Sequence, residues 1–103
     1  MNNIHLHIIG SEIFFNLLNE LGFNYSISFS NNSKYKNRNI IVRVIFVEKL
    51  PLIEVKKYFV ENIPTIFLIH NQDYLKKNKL NLLAFHVSLF TPIEVLSFKE
   101  ILN

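Results

Sequence analysis

Apolar positions along this chain change their period several times, and a turn residue stands at nearly every change, so the pattern predicts strands alternating with helices. Ile4, Leu6, Ile8 and Ile9 mark a first strand, ended by Gly10 and by Ser11, a residue suited to capping a helix. Ile13, Phe14, Leu17, Leu18 and Leu21 then recur at helical spacing as one apolar stripe, and Gly22 supplies a left-handed stop. Tyr25, Ile27 and Phe29 alternate with Ser26, Ser28 and Ser30, the signature of an edge strand with one buried face. Ile40 to Val47 is almost continuously apolar and β-branched, which predicts a central strand buried on both faces, with Arg43 as its one exception.

After Pro51, the positions Leu52, Val55, Phe59 and Ile63 keep helical spacing, and Ile63-Pro64 ends that helix because the residue before a proline avoids the α region. Thr65 to Ile69 reads as a further short strand, and Asp73 to Leu80 as a mostly polar helix or turn. Leu83, Phe85, Val87 and Leu89 alternate as a strand, and Thr91-Pro92-Ile93-Glu94 opens a last helix with a capping box and a proline at its first position. The order β-α-β-β-α-β-(α)-β-α predicts one α/β domain, doubly wound, with a five-stranded mainly parallel sheet, helices on both faces, and the second helix short or missing. The segment 31–39 joins the second strand to the third; nine extended residues span up to about 30 Å. Running back along a short strand needs only about 20 Å, so a crossover without a helix is open, as is an antiparallel hairpin.

Composition narrows the chemistry. Half of the 103 residues are apolar, enough for one core without staples. Cysteine is absent, which excludes disulfides, thiolate metal sites and thiol redox chemistry. The start of the chain lacks a signal-peptide pattern and no run approaches a membrane span, so a cytoplasmic protein without a membrane is expected. The formal charge of +3 is scattered; only Lys34, Tyr35, Lys36 and Arg38 cluster, in an Asn-rich stretch read as a solvated loop. Two glycines, at a strand end and a helix stop, leave no phosphate-cradling loop. His5 and His7 share a strand face without a third ligand, which predicts partly buried histidines and no metal site. His70, His86, Asp73 and Ser88 could be imagined as hydrolase parts, but nothing places a nucleophile on a sharp turn.

Val44-Ile45-Phe46-Val47-Glu48-Lys49-Leu50-Pro51 after the third strand, Ile63-Pro64-Thr65-Ile66-Phe67-Leu68-Ile69-His70 as the fourth, and Phe90-Thr91-Pro92-Ile93 before the last helix resemble the receiver domain of bacterial response regulators. The resemblance covers nearly the whole chain. It implies a phosphoryl-transfer site whose acidic pair falls on Gly10 and Ser11, with Glu12 beside them, whose phosphoacceptor falls on Val47, whose hydroxyl residue falls on Ile69 and whose lysine falls on Thr91. Every one of these positions departs from the family's chemistry. The resemblance therefore implies an atypical receiver: no enzyme, no cofactor, no magnesium, and regulation by contact between proteins. A homodimer face is implied at Lys76, Lys77, Phe85, Glu94, Phe98 and Lys99, with DNA reached only through an appended domain, as in a transcriptional regulator. Ten phenylalanines and four tyrosines exceed what a small core requires and fit an interface. The alternatives are a free-standing α/β interaction domain and a redox-dead thioredoxin-like scaffold, the latter from Ile63-Pro64-Thr65.

Overall fold

A computed structural model describes residues 4–20, 26–29 and 40–91. The elements are β1 (Ile4–Ile9), α1 (Glu12–Glu20), β2 (Ser26–Phe29), β3 (Ile40–Phe46), a 3-10 turn (Val47–Lys49), α2 (Leu52–Phe59), β4 (Thr65–Ile69), α3 (Tyr74–Lys77) and β5 (His86–Phe90). The strands form one sheet in the order β2-β1-β3-β4-β5, and every neighbouring pair is parallel. This is the flavodoxin-like, doubly wound α/β order. β3 pairs with β1 on the side away from β2, which rules out the antiparallel hairpin between β2 and β3.

Each face has its own core. On one, Leu6, Ile8, Val44, Ile66 and Leu68 meet Phe14 and Leu18 of α1, with Ile27 and Phe29 of the edge strand packed alongside. On the other, Ile9, Ile45, Val47, Phe67 and Ile69 meet Val55, Tyr58 and Phe59 of α2. Phe59 stacks on Phe67 at 3.9 Å between ring centroids, and Phe14 meets Phe46 edge-on at 5.2 Å.

One helix face and three boundaries differ from the sequence pattern. The α1 stripe is narrower than expected: Phe14 and Leu18 are buried, whereas Ile13 and Leu17 face outward. α2 stops at Phe59, before Ile63-Pro64, because residues 60–64 form a loop in which Glu61 turns back toward β3 and β5. β3 ends at Phe46, one residue before the expected end, because the 3-10 turn begins at Val47. β5 begins at His86, not at Leu83, because the His86 amide donates to the Leu83 carbonyl and closes a turn ahead of the strand. Leu21, Gly22, Tyr25, Ser30, the segment 31–39 and the expected last helix from Thr91-Pro92-Ile93-Glu94 lie outside the described residues, apart from Thr91 itself. The Thr91 amide donates to the Ile69 carbonyl at 2.9 Å, extending the β4–β5 ladder by one bond.

The second face carries a polar row that crosses the whole sheet. Register pairs Ser28 with His7, His7 with Arg43, Arg43 with Thr65, and Thr65 with His86. One side chain from each of the five strands thus stands at the same level. His7, Arg43, Thr65 and His86 are all buried.

Candidate functional site

In an open parallel sheet, ligands and chemistry belong outside the carboxyl ends of the strands where the order reverses, here between β1 and β3. A cavity of about 450 Å³ lies there, lined by Ser11, Phe46, Glu48, Lys49, Leu68, His70 and Thr91. Phe46 and Leu68 are its apolar residues; hydroxyls, an ammonium, an imidazole and a carboxylate supply the rest.

Local geometry places Ser11 and Glu48. Gly10 ends β1 with φ +98°, a conformation side chains rarely adopt, and a Cβ there would meet the Phe46 carbonyl at 3.1 Å and the Phe46 Cβ at 3.2 Å. The close approach brings the β1–α1 turn onto the end of β3. Ser11 follows as the cap of α1, its Oγ accepting from the Phe14 amide at 3.2 Å. Glu12 is exposed in the first turn of α1.

At the end of β3 the 3-10 turn sends Val47 into the core, fully buried beneath α2, and carries Glu48 across to β4. Glu48 Oε1 accepts from the His70 amide at 2.7 Å and Oε2 from the Asn71 amide at 2.6 Å. Strictly extended geometry would send Glu48 to the other side of the strand end; the turn instead makes it a clasp between the ends of β3 and β4. Charge-assisted bonds of this kind are short and strong, and both carboxylate oxygens are thereby directed at backbone donors.

The positions carried over from the receiver resemblance thus separate. Ser11 and Thr91 line the cavity, while Val47 and Ile69 are wholly buried in the core beneath α2. Gly10 is pressed against β3 and Glu12 points to solvent. Glu48, Lys49 and His70 are cavity residues the sequence did not single out as a set; their signal was their place directly after β3 and β4. Among the described residues no three side chains of the metal-ligating types come together.

The histidines have other roles. His5 Nε2 and His7 Nδ1 both meet Ser28 Oγ, at 2.7 and 2.8 Å, so one hydroxyl links two imidazoles. Burial, then the neighbouring His5 and then Arg43 push His7 down to about 4, and burial lowers His5. His86 is held by the Glu61 carbonyl on Nε2 at 2.8 Å; a carbonyl only accepts, so Nε2 carries the proton and Nδ1 accepts from the Leu83 amide at 3.2 Å. His86 begins β5, whereas His70 follows the far end of β4, so the two stand at opposite ends of the sheet and form no hydrolase constellation with Asp73 and Ser88.

Of the candidate dimer face, Lys76 and Lys77 are exposed on α3 and Phe85 is exposed in the turn before β5. Glu94, Phe98 and Lys99 lie outside the described residues, as do Lys34, Tyr35, Lys36 and Arg38. Among the described residues no helix is long and apolar enough to cross a membrane. Compared with known families, with curated proteins and with solved structures, the chain matches none.

Proposed function

We propose that this domain is a phosphorylation-independent receiver that regulates by protein contact, chiefly as a homodimer, and serves as the N-terminal part of a cytoplasmic transcriptional regulator whose DNA contacts come from an appended domain. The observation that carries this reading is the end of β3. The residue at the acceptor position, Val47, has an inert side chain and is fully buried beneath α2, and the adjacent carboxylate of Glu48 is held by two backbone amides. Phosphoryl transfer needs a nucleophilic oxygen and a metal held by carboxylates at that place.

Without a phosphoryl group to shift its population, such a module regulates only if its associating state is already substantially populated or is set by another ligand. The purified domain is therefore expected to dimerise at micromolar concentration with no phosphodonor present, as read by sedimentation velocity. A monomer persisting at about a hundred micromolar, an association weaker than roughly 5.5 kcal/mol, would overturn the dimer reading.

A further inference from the structure

The sheet has two edges, and they differ in chemistry. β5 closes the order on one side, and from Leu80 to Thr91 the chain carries no Asp, Glu, Lys or Arg. β5 itself, His86-Val87-Ser88-Leu89-Phe90, also lacks proline and glycine, so it has none of the residues by which an edge strand is usually kept from pairing. Around it the apolar surface is concentrated. Five of the ten large hydrophobic side chains that stand exposed among the described residues lie between Leu82 and Phe90, with Phe85 at 57 %, Val87 at 47 % and Phe90 at 45 %. Val87 and Phe90 project to opposite faces of the sheet, so the apolar surface straddles the edge.

The backbone of β5 shows which groups turn outward. Thr65 donates to the Phe85 carbonyl, Thr91 donates to the Ile69 carbonyl, and the register pairs Thr65 with His86 and Ile69 with Phe90. In a parallel ladder this parity turns Val87 and Leu89 toward β4, and His86, Ser88 and Phe90 away from it. The His86 amide is already folded back onto the Leu83 carbonyl. That leaves the amides of Ser88 and Phe90 and the carbonyls of His86, Ser88 and Phe90 along the outer edge.

From this geometry we infer that β5 pairs with β5 of a second copy of this chain, antiparallel about a two-fold axis at Ser88, joining two five-stranded sheets into one of ten. The inference rests on the dimer reading above and specifies its contact. The strand is self-complementary at that register: the two Ser88 residues exchange amide-to-carbonyl bonds, and each Phe90 amide meets the partner strand's His86 carbonyl. The missing donor of the set, the His86 amide, is the one the turn has already used. Val87 falls opposite Leu89 across the axis, giving apolar cross-strand pairs on one face. A two-fold contact uses the same patch on both copies and closes on itself. Two copies of a chain with net charge +3 repel least through a stretch without charged side chains, whereas α2 and α3 present Lys56, Lys57, Lys76 and Lys77.

The test is sedimentation velocity, together with amide hydrogen exchange, on the wild-type domain and two variants. Ser88→Pro removes an outward amide without touching the β4 ladder, a place where an edge strand tolerates proline. Val87→Lys puts a charge at a half-exposed edge position and guards against misfolding of the proline variant. The expected result is a wild-type dimer with slow exchange at Ser88 and Phe90, and at least a tenfold weaker dimer in both variants with circular dichroism unchanged. A wild-type dimer that both variants leave intact, or one in which the Phe90 amide exchanges freely, overturns pairing through β5 while leaving the dimer reading in place. A monomeric wild type overturns both and leaves the edge to a strand of a different chain.

Discussion

Arg43 has 1 % of its surface exposed and is held on three sides. Its Nη1 pairs with Glu61 Oε1 at 2.8 Å, its Nε donates to Thr65 Oγ1 at 3.2 Å, and the guanidinium lies 5.0 Å from the centre of the Tyr58 ring. A buried cation is tolerated only where paired, and the pair is lopsided, because the Glu61 side chain is 46 % exposed. Removing the two partners therefore has unequal consequences. Glu61→Ala leaves a guanidinium in the core short of an anion and is expected to cost about 1–3 kcal/mol, reduced from a fully buried pair by solvent screening. Arg43→Met leaves a carboxylate that water can solvate and fills the space with an apolar chain, and is expected to stay within about 1 kcal/mol of the wild type. Urea unfolding that shows the larger loss for Arg43→Met would contradict this account of the row. Arg43 was legible in the sequence as the exception in an apolar strand; its alignment with Ser28, His7, Thr65 and His86 was not, because it depends on the register of four strand pairs. A one-residue slip of any inner strand would set its polar member against apolar neighbours, which makes the row a register device.

At the scale of elements, the short α3 shows how a turn is built without glycine. The Leu80 amide donates to the Leu75 carbonyl at 2.8 Å and the Lys79 amide to the Lys76 carbonyl at 3.2 Å, the paired bonds of a Schellman stop, with Lys79 in the left-handed region at φ 55°. Leu75 and Leu80 both pack on the core beneath α2, which compensates the strain. Replacing Lys79 with glycine is expected to stabilise the domain by up to about 1 kcal/mol, since the left-handed conformation costs a non-glycine residue about that much. A loss of stability on thermal unfolding of Lys79→Gly would show that the lysine side chain contributes more than its backbone costs. Element identity was largely legible from periodicity: the strands Ile4–Ile9 and Thr65–Ile69 and the edge position of β2 follow from their apolar patterns. Ends were less so. α2 and β5 end and begin where Glu61 and His86 form bonds to distant elements, and no local pattern announces those.

At the scale of the molecule, the alternation of periods was enough to give the doubly wound class, and the sheet order 2-1-3-4-5 places the switch point between β1 and β3. The candidate site was legible only in part. Ser11 and Thr91 could be placed at strand ends from the sequence, but the clasp of Glu48 on the His70 and Asn71 amides depends on a single 3-10 turn that no residue type demands. The proposed function rests on that turn, which buries Val47 and commits the neighbouring carboxylate to backbone donors. Hydroxyls at the cavity do not replace a carboxylate acceptor, and Ser11 Oγ already caps α1. The most direct measurement is the intact mass of the domain after incubation with acetyl phosphate and magnesium. The mass is expected to stay unchanged; a stoichiometric gain of one phosphoryl group would show that phosphoryl transfer persists without an aspartate at the end of β3.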